Sequence, residues 1–158
     1  CKNNGQQSKN IDWKTQQIHD EKSTDKWNGD IYQRSESNRP IPEKEENNYE
    51  KVKNVLSSHD THVLMNDINI GETFYILARE RGMEKAEYFL QVILPILPIA
   101  HIENTLQEVI EASRIKAKYS ISYADCFAIA TACKERATVI TGDPEFKLVE
   151  KLVNVEWL

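Results

Sequence analysis

Two acids stand where carboxylates do chemistry. Asp125 falls in the first turn of Ser122-Tyr123-Ala124-Asp125-Cys126-Phe127-Ala128-Ile129-Ala130-Thr131-Ala132, a run of small apolar side chains suited to a helix buried on nearly every side. Asp143 follows Thr138-Val139-Ile140-Thr141-Gly142, a short β-branched run that reads as a buried parallel strand. In an open α/β sheet the carboxyl ends of the strands and the adjoining helix N-termini face the ligand crevice, so both acids are placed to point at one spot. Carboxylates gathered there suit a hard divalent cation such as Mg²⁺ or Mn²⁺, which neutralises ligand charge and lowers the pKa of bound water.

The same residues also have structural readings. Ser122-x-x-Asp125 resembles a capping box, and Asp143-Pro144 is an ordinary helix start with proline at the first position. A third acid, Glu72, lies three residues past Asn69, and Asn69-x-x-Glu72 is a capping pair by spacing. Capping and chemistry both account for Asp125 and Asp143, while capping is the simpler account of Glu72.

The elements that must position these acids alternate between helix and strand. Residues 46–57 read as a helix with Tyr49, Val52, Val55 and Leu56 on one stripe, followed by a short strand over 62–65. Asn69 is the expected cap of a helix that runs to Arg81 and stops at Gly82, and a further helix spans 83–94 before Pro95. A strand is expected over 96–100. The helix over 104–118 should turn Leu106, Val109, Ile110 and Ile115 inward and Glu108, Glu111 and Lys116 to solvent. After the strand 138–141 come a short helix over 144–151 and a last strand over 153–157. The alternation argues for an α/β fold with a doubly wound parallel sheet.

Ile68-Asn69-Ile70-Gly71-Glu72, then Tyr123-Ala124-Asp125 in an alanine-rich helix, then Thr141-Gly142-Asp143-Pro144-Glu145-Phe146 resemble a PIN-domain ribonuclease of the VapC toxin type. The likeness runs from about Glu45 to Leu158. It implies a PIN-like fold, a metal-dependent endoribonuclease acting on RNA, and Glu72, Asp125 and Asp143 as catalytic and Mg²⁺- or Mn²⁺-binding residues. It further implies a toxin-antitoxin pair with an antitoxin protein as partner, and a homodimer. The family pattern also has an Asp at the end of a first, central strand followed by an apolar helix, and no such stretch is recognisable here. Asp60 is too close to Glu72 for it, and Asp30 is followed by a polar run that cannot make the helix.

Residues 1–44 are rich in Asn, Gln, Lys, Ser and Asp, with no sustained period of 2 or 3.6 among their scattered apolar residues. They are expected to be a polar, mostly disordered segment that cannot bury enough surface to offset its ordering entropy, with 45–158 as the domain and the first central strand missing. The formal net charge of −5 argues against a broad basic nucleic-acid-coating face. A metal-assisted nuclease escapes that objection, because the ion supplies the positive charge locally.

Cys126 and Cys133 are about 10 Å apart along one helix, too far for a disulfide, and read as small buried side chains in a reducing, cytoplasmic compartment. Of the histidines only His59 and His62 are near one another, in a loop running into a strand, and solvated or structural roles are expected of them. No apolar run reaches membrane-spanning length. Two other classes compete with the nuclease: a catalytically inactive PIN-like module binding RNA or an antitoxin, and a lipid-tethered protein attached through Cys1.

Overall fold

The computed structural model describes residues 7–11 and 43–158. The five strands are β1 (Gln7–Ile11), β2 (Thr61–Asn66), β3 (Ile99–Ile102), β4 (Thr138–Thr141) and β5 (Asn154–Trp157). The α-helices are α1 (Glu43–Ser57), α2 (Asp67–Arg81), α3 (Met83–Tyr88), α4 (Leu106–Lys116) and α5 (Tyr123–Glu135). The strands form one sheet in the order β3-β2-β1-β4-β5, and every neighbouring pair is parallel. This is a doubly wound parallel sheet, as the alternating pattern of helices and strands predicts. From β1 the chain steps outward to β2 and β3, then returns to β4 on the other side of β1. That reversal makes the carboxyl ends of β1 and β4 the place where an open sheet leaves a crevice.

Both sheet faces are covered, which is why β2 buries four consecutive residues, Val63, Leu64, Met65 and Asn66. On one face Val52 and Val55 of α1 pack with Val63 and Ile140. On the other, Leu64 and Val139 meet α5 through a core that includes Cys126, Phe127, Ile129 and Ala130 and extends to Phe146, Val149 and Val153. The small residues of α5 let it lie close to the sheet, while α4 packs along its other side.

The middle strand corrects the expectation that the first central strand is missing, and it lies within the segment expected to be mostly disordered. Gln7–Ile11 pairs with β2 on one side and β4 on the other. It is invisible to hydrophobic pattern because its buried position facing α5 is filled by Asn10, level with Leu64 and Val139, and not by an apolar residue. Asn10 Nδ2 donates to the Ala128 carbonyl at 3.0 Å. Lys9 is anchored at 2.6 Å to Glu156. Two ladders and these side-chain bonds hold the strand. The rest of the segment, 1–6 and 12–42, lies outside the described residues, and α1 begins at Glu43.

Smaller differences have local causes. The third strand starts at Ile99 and not at 96, because Leu94–Ile96 closes a 3-10 turn and Pro98 has no N–H to give a ladder. The helix from Met83 turns into a π-helical stretch at Phe89–Ile93 before that turn. In α4 the expected faces are partly exchanged: Leu106 is exposed, whereas Glu108 is 5% exposed. A capping box with Thr105 and an ion pair with Lys134 at 2.6 Å draw Glu108 inward. Tyr49 is exposed, with the Lys53 ammonium over its ring. Cys126 is buried as expected, but Cys133, on the last turn of α5, is exposed. Partial burial still pushes its thiol upward. No helix among the described residues is long and apolar enough to cross a membrane.

Candidate metal centre

The first turn of α5 is fixed by Ser122, whose extended backbone (φ −60°, ψ 155°) ends the preceding chain and whose Oγ accepts from Asp125 N at 3.1 Å. The same hydroxyl donates to Asp125 Oδ2. The capping relation expected from spacing is therefore made, but it does not exhaust the residue. Asp125 is 0% exposed, deeper than a cap requires, at the positive end of the helix, where a carboxylate is favoured.

Asp143 is set by the end of β4. Its N–H donates to Thr141 Oγ1 at 3.0 Å, and its Oδ1 accepts from Glu145 N at 2.8 Å, capping a 3-10 helix over Pro144–Leu148 with proline in the first turn. Phe146 of that turn is buried in the core, so packing holds the acid as well as the cap.

One carboxylate oxygen from each of Asp125, Asp143 and Glu145 lies within 4.8 Å of the others. Asp125 and Asp143 are buried and Glu145 is exposed. Three like charges so close repel one another unless a cation joins them, and an all-oxygen set of this spacing fits Mg²⁺ or Mn²⁺. The two acids singled out from the sequence at positions 125 and 143 thus come together. Glu145 joins them without being a ligand expected from the resemblance, and Asp143-Pro144-Glu145 carries its signal: a cap two residues before a second acid brings both to one turn.

Glu72 is not one of that group of three. It is half-buried on α2, whose cap is Asn66 and not Asn69: Asn66 Oδ1 accepts from Asn69 N at 3.0 Å, and the helix starts at Asp67. The Asn69-Glu72 capping pair therefore does not form, and Glu72 lies in the helix interior, one turn beyond Asn69 on the same face. Asn69 Nδ2 donates to the Ala124 carbonyl at 3.2 Å, which ties this part of α2 to the first turn of α5.

Asp30 lies outside the described residues. So does Asp12, the acid that follows Ile11 in sequence. At the carboxyl edge of β2 and β3, His101 pairs with Asp67, and Asp67 also accepts from Asn104 N at 3.0 Å. That backbone N–H, with His101 second, holds the Asp67 carboxyl below its usual range.

Comparison with known proteins agrees with this architecture. A chain in the crystal structure of VapBC2 from Rickettsia felis bound to a DNA fragment from their promoter matches with a TM-score of 0.51 at 19% identity, over 73% of this chain and 85% of that one. A chain in the crystal structure of FitAcB from Neisseria gonorrhoeae matches with a TM-score of 0.52 at 22% identity, over 74% of this chain and 86% of that one. At such identities the likeness is one of fold. A search of curated proteins gave no match. The family model for the PIN domain matches residues 40–152, and with that span covering most of the sequence, the chain belongs to the PIN domain family.

Proposed function

We propose that this protein is a divalent-metal-dependent endoribonuclease of the VapC toxin type, with RNA as substrate and an antitoxin protein as its partner, acting as a homodimer. The observation that carries the reading is the meeting of Asp125, Asp143 and Glu145 beside the switch point of the sheet. Asp125, Asp143 and Glu145 would hold the ion, with Glu72 on the neighbouring helix as a further ligand. When bound, Mg²⁺ or Mn²⁺ supplies positive charge for the scissile phosphate and makes hydroxide available near neutral pH.

The chain's own residues prepare the site. Ser122 fixes the buried Asp125 by two hydrogen bonds, and the β4 end fixes Asp143 through its backbone and cap. Positions set by backbone and packing keep the donors from collapsing apart by mutual repulsion before a cation arrives. The net charge of −5 is compatible with an RNA substrate because the cation acts where the phosphate binds.

The test is cleavage of RNA by the purified chain with Mg²⁺, with EDTA, and by Asp125→Asn and Asp143→Asn. Cleavage should need Mg²⁺, and each variant should fall by about a hundredfold or more, the loss of roughly 3 kcal/mol of transition-state stabilisation. Equal cleavage by the variants and the unaltered protein rejects the metal mechanism. Retained RNA binding without cleavage by any of them favours an inactive binding module.

A further inference from the structure

Among the described residues three asparagines are buried between the sheet and the helices that cover it: Asn10 on β1, Asn66 at the end of β2 and Asn69 in the first turn of α2. Asn66 is satisfied at both ends, donating to Thr131 Oγ1 at 3.0 Å and accepting from Asn69 N at 3.0 Å. The other two donate only. Asn10 Nδ2 reaches the Ala128 carbonyl and Asn69 Nδ2 the Ala124 carbonyl, and neither Oδ1 receives a hydrogen bond. Turning either amide over would set oxygen against oxygen, so these orientations are fixed.

A buried acceptor without a donor costs about 1–3 kcal/mol. The two positions differ in what lies beside them. Asn10 is tied to α5 one turn inside the helix, at Ala128. Asn69, 4% exposed, is tied to Ala124, the residue immediately before the buried acid Asp125. Its fixed acceptor therefore belongs to an amide held against the first turn of α5, the turn that carries that acid.

Resting on the metal reading above, we propose that Asn69 is a positioning residue of the acid cluster: its Oδ1 accepts a hydrogen bond from the hydration shell of a divalent cation held by Asp125 and its neighbours. Such outer partners orient the groups around an ion, and their loss typically weakens metal binding by about 10–100-fold.

The experiment is Mn²⁺ affinity of the full chain by calorimetry and electron paramagnetic resonance, with thermal unfolding alongside. Asn69→Thr and Asn69→Val have nearly one shape but only Thr keeps an oxygen. The Val variant should bind Mn²⁺ at least about tenfold more weakly than the unaltered protein, and the Thr variant should recover most of that loss. Thr73→Val removes the neighbouring Thr73 Oγ1 bond to the Asn69 carbonyl, 2.9 Å, without touching the Asn69 side chain. It should lower Tm but leave Mn²⁺ affinity within about twofold.

Equal affinity of the Thr and Val variants, or an equal loss in Thr73→Val, overturns the proposal while the metal reading stands. Failure of the unaltered chain to bind Mn²⁺ more tightly than Asp125→Asn overturns both.

Discussion

Placing Gln7–Ile11 in the middle of the sheet has a sharp consequence for Asn10→Asp. Asn10 is 0% exposed, and its amide nitrogen donates to the Ala128 carbonyl. An ionised aspartate has no donor for that carbonyl and faces it with an acceptor, whereas the protonated acid keeps one O–H that can donate to it. A carboxylate in such a place avoids ionising. Holding it protonated at pH 7, about three units above its unfolded value near 3.9, costs about 4 kcal/mol at roughly 1.4 kcal/mol per unit.

That cost is a large part of the stability of an ordinary domain and corresponds to a fall of roughly 8–16 °C in Tm. The sign follows from a folded pKa raised above the unfolded one: the folded protein binds the proton more tightly, so the deficit relative to the parent grows as pH rises above about 4 and largely disappears below it. Urea unfolding of the parent and the variant at pH 7 and pH 4 measures both numbers. A variant as stable as the parent at pH 7 would mean that Asn10 is in water and that β1 does not stand between β2 and β4.

Other consequences are less demanding to test. Glu108 is buried, and its pKa is lowered to about 2, chiefly by the Lys134 ammonium and then by the Thr105 N–H. It therefore contributes stability above the ordinary glutamate value near 4.5 that is lost as pH falls toward 2. Glu108→Gln should be less stable at pH 7 and lose less stability than the parent between pH 6 and pH 3, and identical pH slopes in urea unfolding would contradict this. Arg136 ends α5 in the left-handed region, with φ 53°. Arg136→Gly should relieve about 1 kcal/mol and raise Tm by roughly 2–4 °C, and a Tm that stays level or drops removes the strain argument.

What the sequence determined by itself was everything that local pattern carries. The apolar run of α5 with Asp125 in its first turn, the β-branched run ahead of Asp143, and the alternation of helix and strand all follow from periodicity and capping chemistry. They were enough to place two of the three clustered acids and the class of the fold.

Tertiary structure alone decided the rest. Gln7-Ser8-Lys9-Asn10 has no strand pattern, because its place is secured by ladders to β2 and β4, strands more than fifty residues away in the chain, and by an amide bond to Ala128. Glu108 is inside and Leu106 outside because Lys134, on another helix, supplies the charge that makes burial tolerable. Glu145 joins Asp125 and Asp143 because a cap folds the chain back after β4, and Glu72 is released from capping because Asn66, not Asn69, starts its helix. In each case the deciding partner is distant in sequence or competes with a neighbour of equal propensity, and a local pattern contains neither fact.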